Sequence, residues 1–182
     1  SYAYNGDGVR VQQSVNGSAT GYLQDLGAGM AVVLREDRAG GGITDYVYGL
    51  DLISQHSGSD IDFLLTDGLG STRLLTDEDG NTAGRYAYDV FGLERSYSGS
   101  SQTDFTFAGE QMDKTSGLQY LRARYYDPED GRFFSEDNFL GFSKSTQSMN
   151  LYTYVENNPV HRIDPLGLDY TFHKLSLSAF FG

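Results

Sequence analysis

Cysteine is absent from this chain, which removes disulfide bridges, zinc thiolates and a thiol nucleophile from the chemistry open to it. Tryptophan is missing too, and proline occurs only three times. Cationic side chains are scarce: 13 Lys and Arg stand against 25 Asp and Glu, a formal net charge of −12. That balance argues against nucleic acid as a partner, because such affinity comes largely from Lys and Arg displacing counterions. No 18-residue apolar stretch occurs, so no membrane-spanning helix is expected. The opening residues, SYAYNGDGVR, lack a charged segment followed by an apolar one, so no signal peptide is expected within the chain. Ser1 enters directly into a repeat, and the polypeptide is expected to begin inside something longer.

What the chain does have is 23 Gly and 14 Tyr, with an aromatic share of 14%. Aromatic-rich, turn-rich composition fits short strands better than helices, and no segment sustains a 3.6-residue apolar period. The expected fold class is all-β. A unit recurs in which two aromatics flank one residue, an Asp or small residue follows, and Gly comes soon after. The clearest copies are Tyr2-Tyr4-Asn5-Gly8, Tyr46-Tyr48-Gly49-Asp51 and Tyr86-Tyr88-Asp89-Gly92, with weaker ones at Tyr22–Gly29, Phe63–Gly70, Phe105–Gly109 and Tyr125–Gly131. Aromatics two apart share a strand face, so each unit supplies a pair of rings to one side of a sheet. Asn16-Gly17 and Asp79-Gly80 are favoured hairpin turns, and Ala39-Gly40-Gly41-Gly42 separates two β-like runs. The runs TRLLT, GRYAYDV, FTFAG, LQYLRARYY and LYTYV read as strands.

The most informative stretch runs from Gly117 to Leu168: GLQYLRARYYDPEDGRFFSEDNF, a spacer, then NLYTYVENNPVHRIDPLGL. It closely resembles the C-terminal core of the Rhs, or YD-repeat, proteins, and the Tyr-Asp units upstream look like YD repeats. The resemblance implies successive hairpins forming part of a spiral β-sheet shell, with an inward-turning C-terminal plug. It divides the chain into YD-repeat hairpins at 1–116, the Rhs-associated core at 117–168, and the start of a variable toxin or cargo segment at 169–182. It also implies that the core cuts its own chain just after the DPxGL box, here Pro165, Leu166 and Gly167 following Asp164, so that the bond at risk joins Leu168 to Asp169. The implied partners are the chain's own C-terminal cargo, upstream YD repeats and a secretion or delivery apparatus. The implied location is secreted or cell-surface associated, by bacterial-type export.

Two acids stand at matching positions. Asp137, in RFFSEDN, aligns with the Asp after the family's G-R-aromatic-aromatic-S box, and Asp164 opens DPLGL. Paired carboxylates hydrolyse a peptide when one is ionised to deprotonate water and the other protonated to donate, and proximity itself raises one of the two pKa values. Such a pair would make the chain a single-turnover intramolecular aspartyl-type autoprotease, needing no cofactor or metal. Arg132, in GRFF, is a candidate helper that would steady the developing oxyanion or fix the ionised Asp. Its ordinary role would be stacking on aromatics or pairing with Glu129. Asp-Pro is equally a common turn opener, so a non-cleaving wrapper or surface-binding module remains the alternative. Asn138 stands where the family has proline, which frees φ and adds an N–H beside Asp137.

Other motifs read as structure. TDEDGN from Thr76 begins like a calcium loop, but the twelfth position counted from Asp77 is Tyr88 rather than Glu, so a hairpin turn is preferred. Tyr120, Arg122, Arg124 and Tyr126 would share one strand face, a pattern assigned to cation and aromatic packing. The tail alternates Leu175, Leu177 and Ala179 with serines and is expected as an apolar-faced strand.

Overall fold

The computed structural model describes residues 1–27, 29–137 and 149–172. Asn138 and the strand expected over Leu175, Leu177 and Ala179 lie outside the described residues. Ten strands follow one another in sequence: β1 (Tyr2–Tyr4), β2 (Arg10–Val15), β3 (Ser18–Asp25), β4 (Val32–Arg38), β5 (Gly42–Tyr48), β6 (Leu52–Ser57), β7 (Asp60–Thr66), β8 (Thr72–Thr76), β9 (Thr82–Tyr88) and β10 (Glu94–Gly99). Each is hydrogen-bonded to the next in a single ten-stranded sheet ordered β1 to β10. Further strands, β11 (Gln111–Asp113), β12 (Leu118–Leu121), β13 (Arg124–Asp127) and β14 (Arg132–Phe133), make a four-stranded meander, and β15 (Arg162–Ile163) pairs with β16 (Thr171–Phe172). The chain is all-β, and among the described residues no helix is long and apolar enough to cross a membrane.

One loop geometry explains the repeat. Between β1 and β2, the Asn5 side-chain oxygen accepts the N–H groups of Asp7 and Val9, at 3.0 and 2.9 Å. Asp67, between β7 and β8, accepts from Leu69 and Ser71, both at 3.0 Å. Asp77 accepts from Asp79 and Asn81, and Asp89 from Phe91 and Leu93. In all four loops the glycine three residues on has a left-handed φ, 76° at Gly8, 87° at Gly70, 81° at Gly80 and 91° at Gly92, which only glycine adopts freely. The Asp of the repeat is therefore a turn former whose carboxylate replaces backbone acceptors that the reversal leaves out of reach. At Asp67 and Asp89 the second oxygen also takes an arginine from the outgoing strand, Arg73 at 2.8 Å and Arg95 at 3.0 Å. Replacing Asp89 by Ala should cost about 2 kcal/mol, since two N–H groups lose an ionised acceptor, and Asn should recover much of it; denaturant unfolding of the two variants measures this.

The chain forms two contact units. The first comprises Ser1–Leu65, Leu74–Gly84 and Gly99–Gln102. Its buried face is largely polar: Arg10, Glu36, Thr44, Gln55 and Asp62 join Val33, Tyr46 and Leu75. These polar groups are paired, with Gln55 donating to Asp62 at 2.9 Å, Arg38 donating to Glu36, and Arg10 lying over the Tyr22 ring at 4.7 Å. The second unit comprises Thr66–Arg73, Arg85–Ser98 and the chain from Thr103 onward. It holds the apolar core of Phe107, Ala108, Leu121, Tyr126, Phe133, Tyr154, Val155 and Ile163.

Three expected strands are corrected. FTFAG is a reversal rather than a strand, with Ala108 at φ 54° in a 3-10 turn over Phe107–Gly109. Burying both Phe107 and Ala108 requires that reversal, and the Ala108 N–H then bonds Ser71 Oγ at 2.9 Å. LQYLRARYY breaks into β12 and β13 around a two-residue turn in which Arg122 has φ 58°. Consequently Tyr120 faces Tyr125 across the hairpin, at 5.3 Å between rings. LYTYV makes only the bridge of Thr153 to Arg132 before entering the 3-10 turn Val155–Asn157. Its carbonyls are used elsewhere: Leu151 accepts from Asp137 N–H and Tyr152 from Phe133 N–H, both at 2.9 Å.

Candidate active site

The DPLGL box keeps the repeat loop's glycine and its contact four residues on, without the contact two residues on. Asp164 Oδ1 accepts the N–H of Leu168 at 3.1 Å, and Gly167, three residues on, has φ 67°. Its setting differs from that of the repeat loops. Asp164 is 3% exposed, whereas the side chains of Asp67 and Asp89 keep about a quarter of their surface in water. Burial pushes the Asp164 carboxyl up to about 7, against hydrogen bonds from Leu168 and Gly167 and the attraction of Arg124, and Glu110 adds repulsion in the same direction as burial. Tyr154, buried against Tyr126 at 4.2 Å between rings, closes one side, and its own phenol is pushed up by burial.

Asp137 and Asp164 meet on one cation. Arg124 Nη2 lies 2.7 Å from Asp137 Oδ2 and 3.6 Å from Asp164 Oδ2, so the two oxygens are separated by no more than those distances combined. Arg124 is itself 7% exposed and stacks on Phe133, 3.6 Å from the ring centroid. Its remaining donors reach Gly167 O from Nε at 2.6 Å and Leu151 O from Nη1 at 3.1 Å. Burial pulls its pKa down and the two carboxylates push it back, but a guanidinium stays charged regardless. This buried arginine hydrogen-bonds Asp137, Leu151 and Gly167 and forms an ion pair with Asp164, and so ties three separated stretches of chain to β13.

The other expected residues fall as follows. Pro165 and Gly167 are buried, Leu166 and Leu168 are exposed at 43% and 46%, and Asp169 is exposed. Arg132 is exposed on β14, opposite Asp127 in the register. The cation that meets the acids is Arg124, which the sequence reading placed in aromatic packing; the stacking on Phe133 is present, and the ion pairs are additional to it. The signal in the sequence is the pair of arginines flanking Ala123 directly ahead of YYD.

Because Asp164 binds its proton more tightly folded than unfolded, where the ordinary value is 3.8, its contribution to stability is complete below about 4 and is lost as pH rises to about 7. The expected slope is at most about 1.4 kcal/mol per pH unit. Unfolding at pH 4.5 and 7.5 of the parent chain and Asp164→Asn isolates the term: the Asn variant should lose this part of the pH dependence.

The Teneurin YD-shell family model matches residues 37–160, more than half of the chain. The chain belongs to that family of YD-repeat shell proteins. Among curated relatives, the tRNA nuclease WapA of Bacillus subtilis is 33% identical over 177 residues, covering 91% of this chain and 7% of that protein. The probable deoxyribonuclease RhsB of Dickeya dadantii is 36% identical over 118 residues, covering 63% of this chain and 8% of that protein. The chain thus spans a small fraction of the relatives it matches. The crystal structure of TcdB2-TccC3 superposes with a TM-score of 0.68 at 24% identity, over 92% of this chain and 9% of that one, which shows the shared fold.

Proposed function

We propose that residues 117–168 are the self-processing core of a YD-repeat shell, which cuts the bond between Leu168 and Asp169 and frees the segment that begins at 169. The single observation that carries this reading is the convergence of Asp137 and Asp164 on Arg124 beside the box. Asp164, poised near neutrality, supplies the proton; Asp137, paired to Arg124, takes one from water. The water oxygen adds to the Leu168 carbonyl carbon, the C–N bond breaks, and the Asp169 nitrogen leaves protonated, giving a Leu168 carboxylate and a new N-terminus. Asp164 is close enough to act, since its Oδ1 already holds the Leu168 N–H, two covalent bonds from the reacting carbon. The hairpins of 1–116 are the enclosing repeats in this reading. The downstream segment is the cargo, further repeats and an export apparatus are the partners, and the destination is outside the producing cell. The names of the relatives, a nuclease and a deoxyribonuclease, support a toxic cargo in the longer protein.

A second reading has its own observation. Asp164 holds Leu168 as Asp67 holds Ser71, so a buried turn in a non-cleaving wrapper would look the same locally. The intact mass of the full chain, followed over time between pH 4 and 8 with identification of the new terminus, separates the two. A product ending at Leu168, fastest below about pH 7 and slowing as Asp164 ionises, supports self-cutting. An intact chain at every pH leaves the wrapper. A break between Asp164 and Pro165 reports only the acid lability of that bond.

A further inference from the structure

The tip of the β12–β13 hairpin reads three consecutive carbonyls of the box with three consecutive residues. Arg122 Nη1 donates to Pro165 O, Ala123 N–H donates to Leu166 O at 3.1 Å, and Arg124 Nε donates to Gly167 O at 2.6 Å. The next carbonyl along is that of Leu168. The box cannot slide freely past the hairpin tip. A Cβ on Gly167 would sit 2.4 Å from Leu121 O and 3.0 Å from Arg124 N, so only glycine fits at that position. Arg122 is held in turn by Glu110, whose Oε2 it meets at 2.7 Å, with the pair's side chains 20% and 9% exposed. Its φ of 58° places it at the turn, where its side chain serves the box rather than the β12–β13 ladder.

From this one-to-one register we infer that the Arg122-Ala123-Arg124 tip is a ruler, which fixes the box three carbonyls deep and so presents the fourth, that of Leu168, to the acids. Arg122 is a positioning residue in this scheme, acting through the box rather than on the reacting atoms. The inference rests on the self-cutting reading for its consequence, but the clamp itself can be read without any cut. A ruler differs from a general structural support in what it controls. Losing a support lowers stability, whereas losing a ruler moves or blurs the position of the cut.

The test uses the full chain with Arg122→Met and Arg122→Lys. In Arg122→Met, cutting should slow by roughly 10- to 100-fold, the scale on which a misplacement of about 1 Å acts, and products should end at residues flanking Leu168 as well as at Leu168. Arg122→Lys, which keeps a donor for Pro165 O, should restore a single terminus. Amide exchange followed by NMR supplies the independent arm: Ala123 and Leu168 N–H should exchange at least about 10-fold faster in Arg122→Met, because their acceptors lie in the box or on Asp164. Unchanged exchange at both amides, or cutting at Leu168 alone at the parent rate, would overturn the ruler. A parent chain that never cuts, with exchange accelerated in Arg122→Met, would retain the clamp and defeat the self-cutting reading instead.

Discussion

Asp164→Asn should keep the chain at its full 20.1 kDa under conditions in which the proposed cut would remove residues 169–182 from the parent. The substitution is nearly isosteric and retains an oxygen to accept the Leu168 N–H, so the loop keeps its shape. What disappears is the group that burial holds at about 7, the one acid in the box able to give a proton near neutrality. A loss of roughly 10²- to 10⁴-fold in cutting rate is the scale of one general acid. Asp137→Asn should be as severe, since it removes the carboxylate that faces Arg124 at 2.7 Å. The double variant should be little slower than the worse single one, because two residues serving one step are not additive. Time courses of intact mass give all three rates; cutting that persists at the parent rate in both single variants would remove the acids from the mechanism.

Arg124→Met should do more than stop the reaction. The guanidinium compensates Asp137 and Asp164 and satisfies the carbonyls of Gly167 and Leu151, all within largely buried surroundings. Removing one member of a buried ionic cluster typically costs about 3–5 kcal/mol, because the remaining charge is left without compensation. For a chain of this size that corresponds to a melting temperature lower by roughly 10 °C. The penalty should shrink at acid pH, where protonation of Asp164 removes part of the orphaned charge. Arg124→Lys should rescue poorly, since a single ammonium cannot span two carbonyls and two carboxylates at once. Thermal melts at pH 4.5 and 7.5 check both statements. A variant melting within about 2 °C of the parent at pH 7.5 would mean the cluster contributes little.

The sequence is most legible where a signal is local. TRLLT is β8 residue for residue, GRYAYDV holds most of β9, and Asn16-Gly17 forms its turn with φ 50° and 83° at the two central positions. It fails where long-range packing overrides pattern. Nothing in LQYLRARYY marks Arg122 as the residue that takes a left-handed turn, because the reason is the box 43 positions later, to whose Pro165 carbonyl it donates. Asp137 and Asp164 were visible through the resemblance to the Rhs core, and Arg124, which joins them, was not. Its partners lie 27 and 43 residues downstream at Leu151 and Gly167, and no periodicity encodes such separations. Arg132, a candidate through its place in a motif, is exposed on β14 opposite Asp127.

The loop that opens on Asp and closes on Gly occurs in this chain both in contact with water and beneath packed rings, with the N–H four residues on aimed at one oxygen each time. Lodging, rather than lettering, is what lets the carboxyl of Asp164 keep its proton until neutrality. An array built on such a loop carries a stock of dormant acids. Each is separated from a new chemical part by little more than the apolar cover that happens to lie over it.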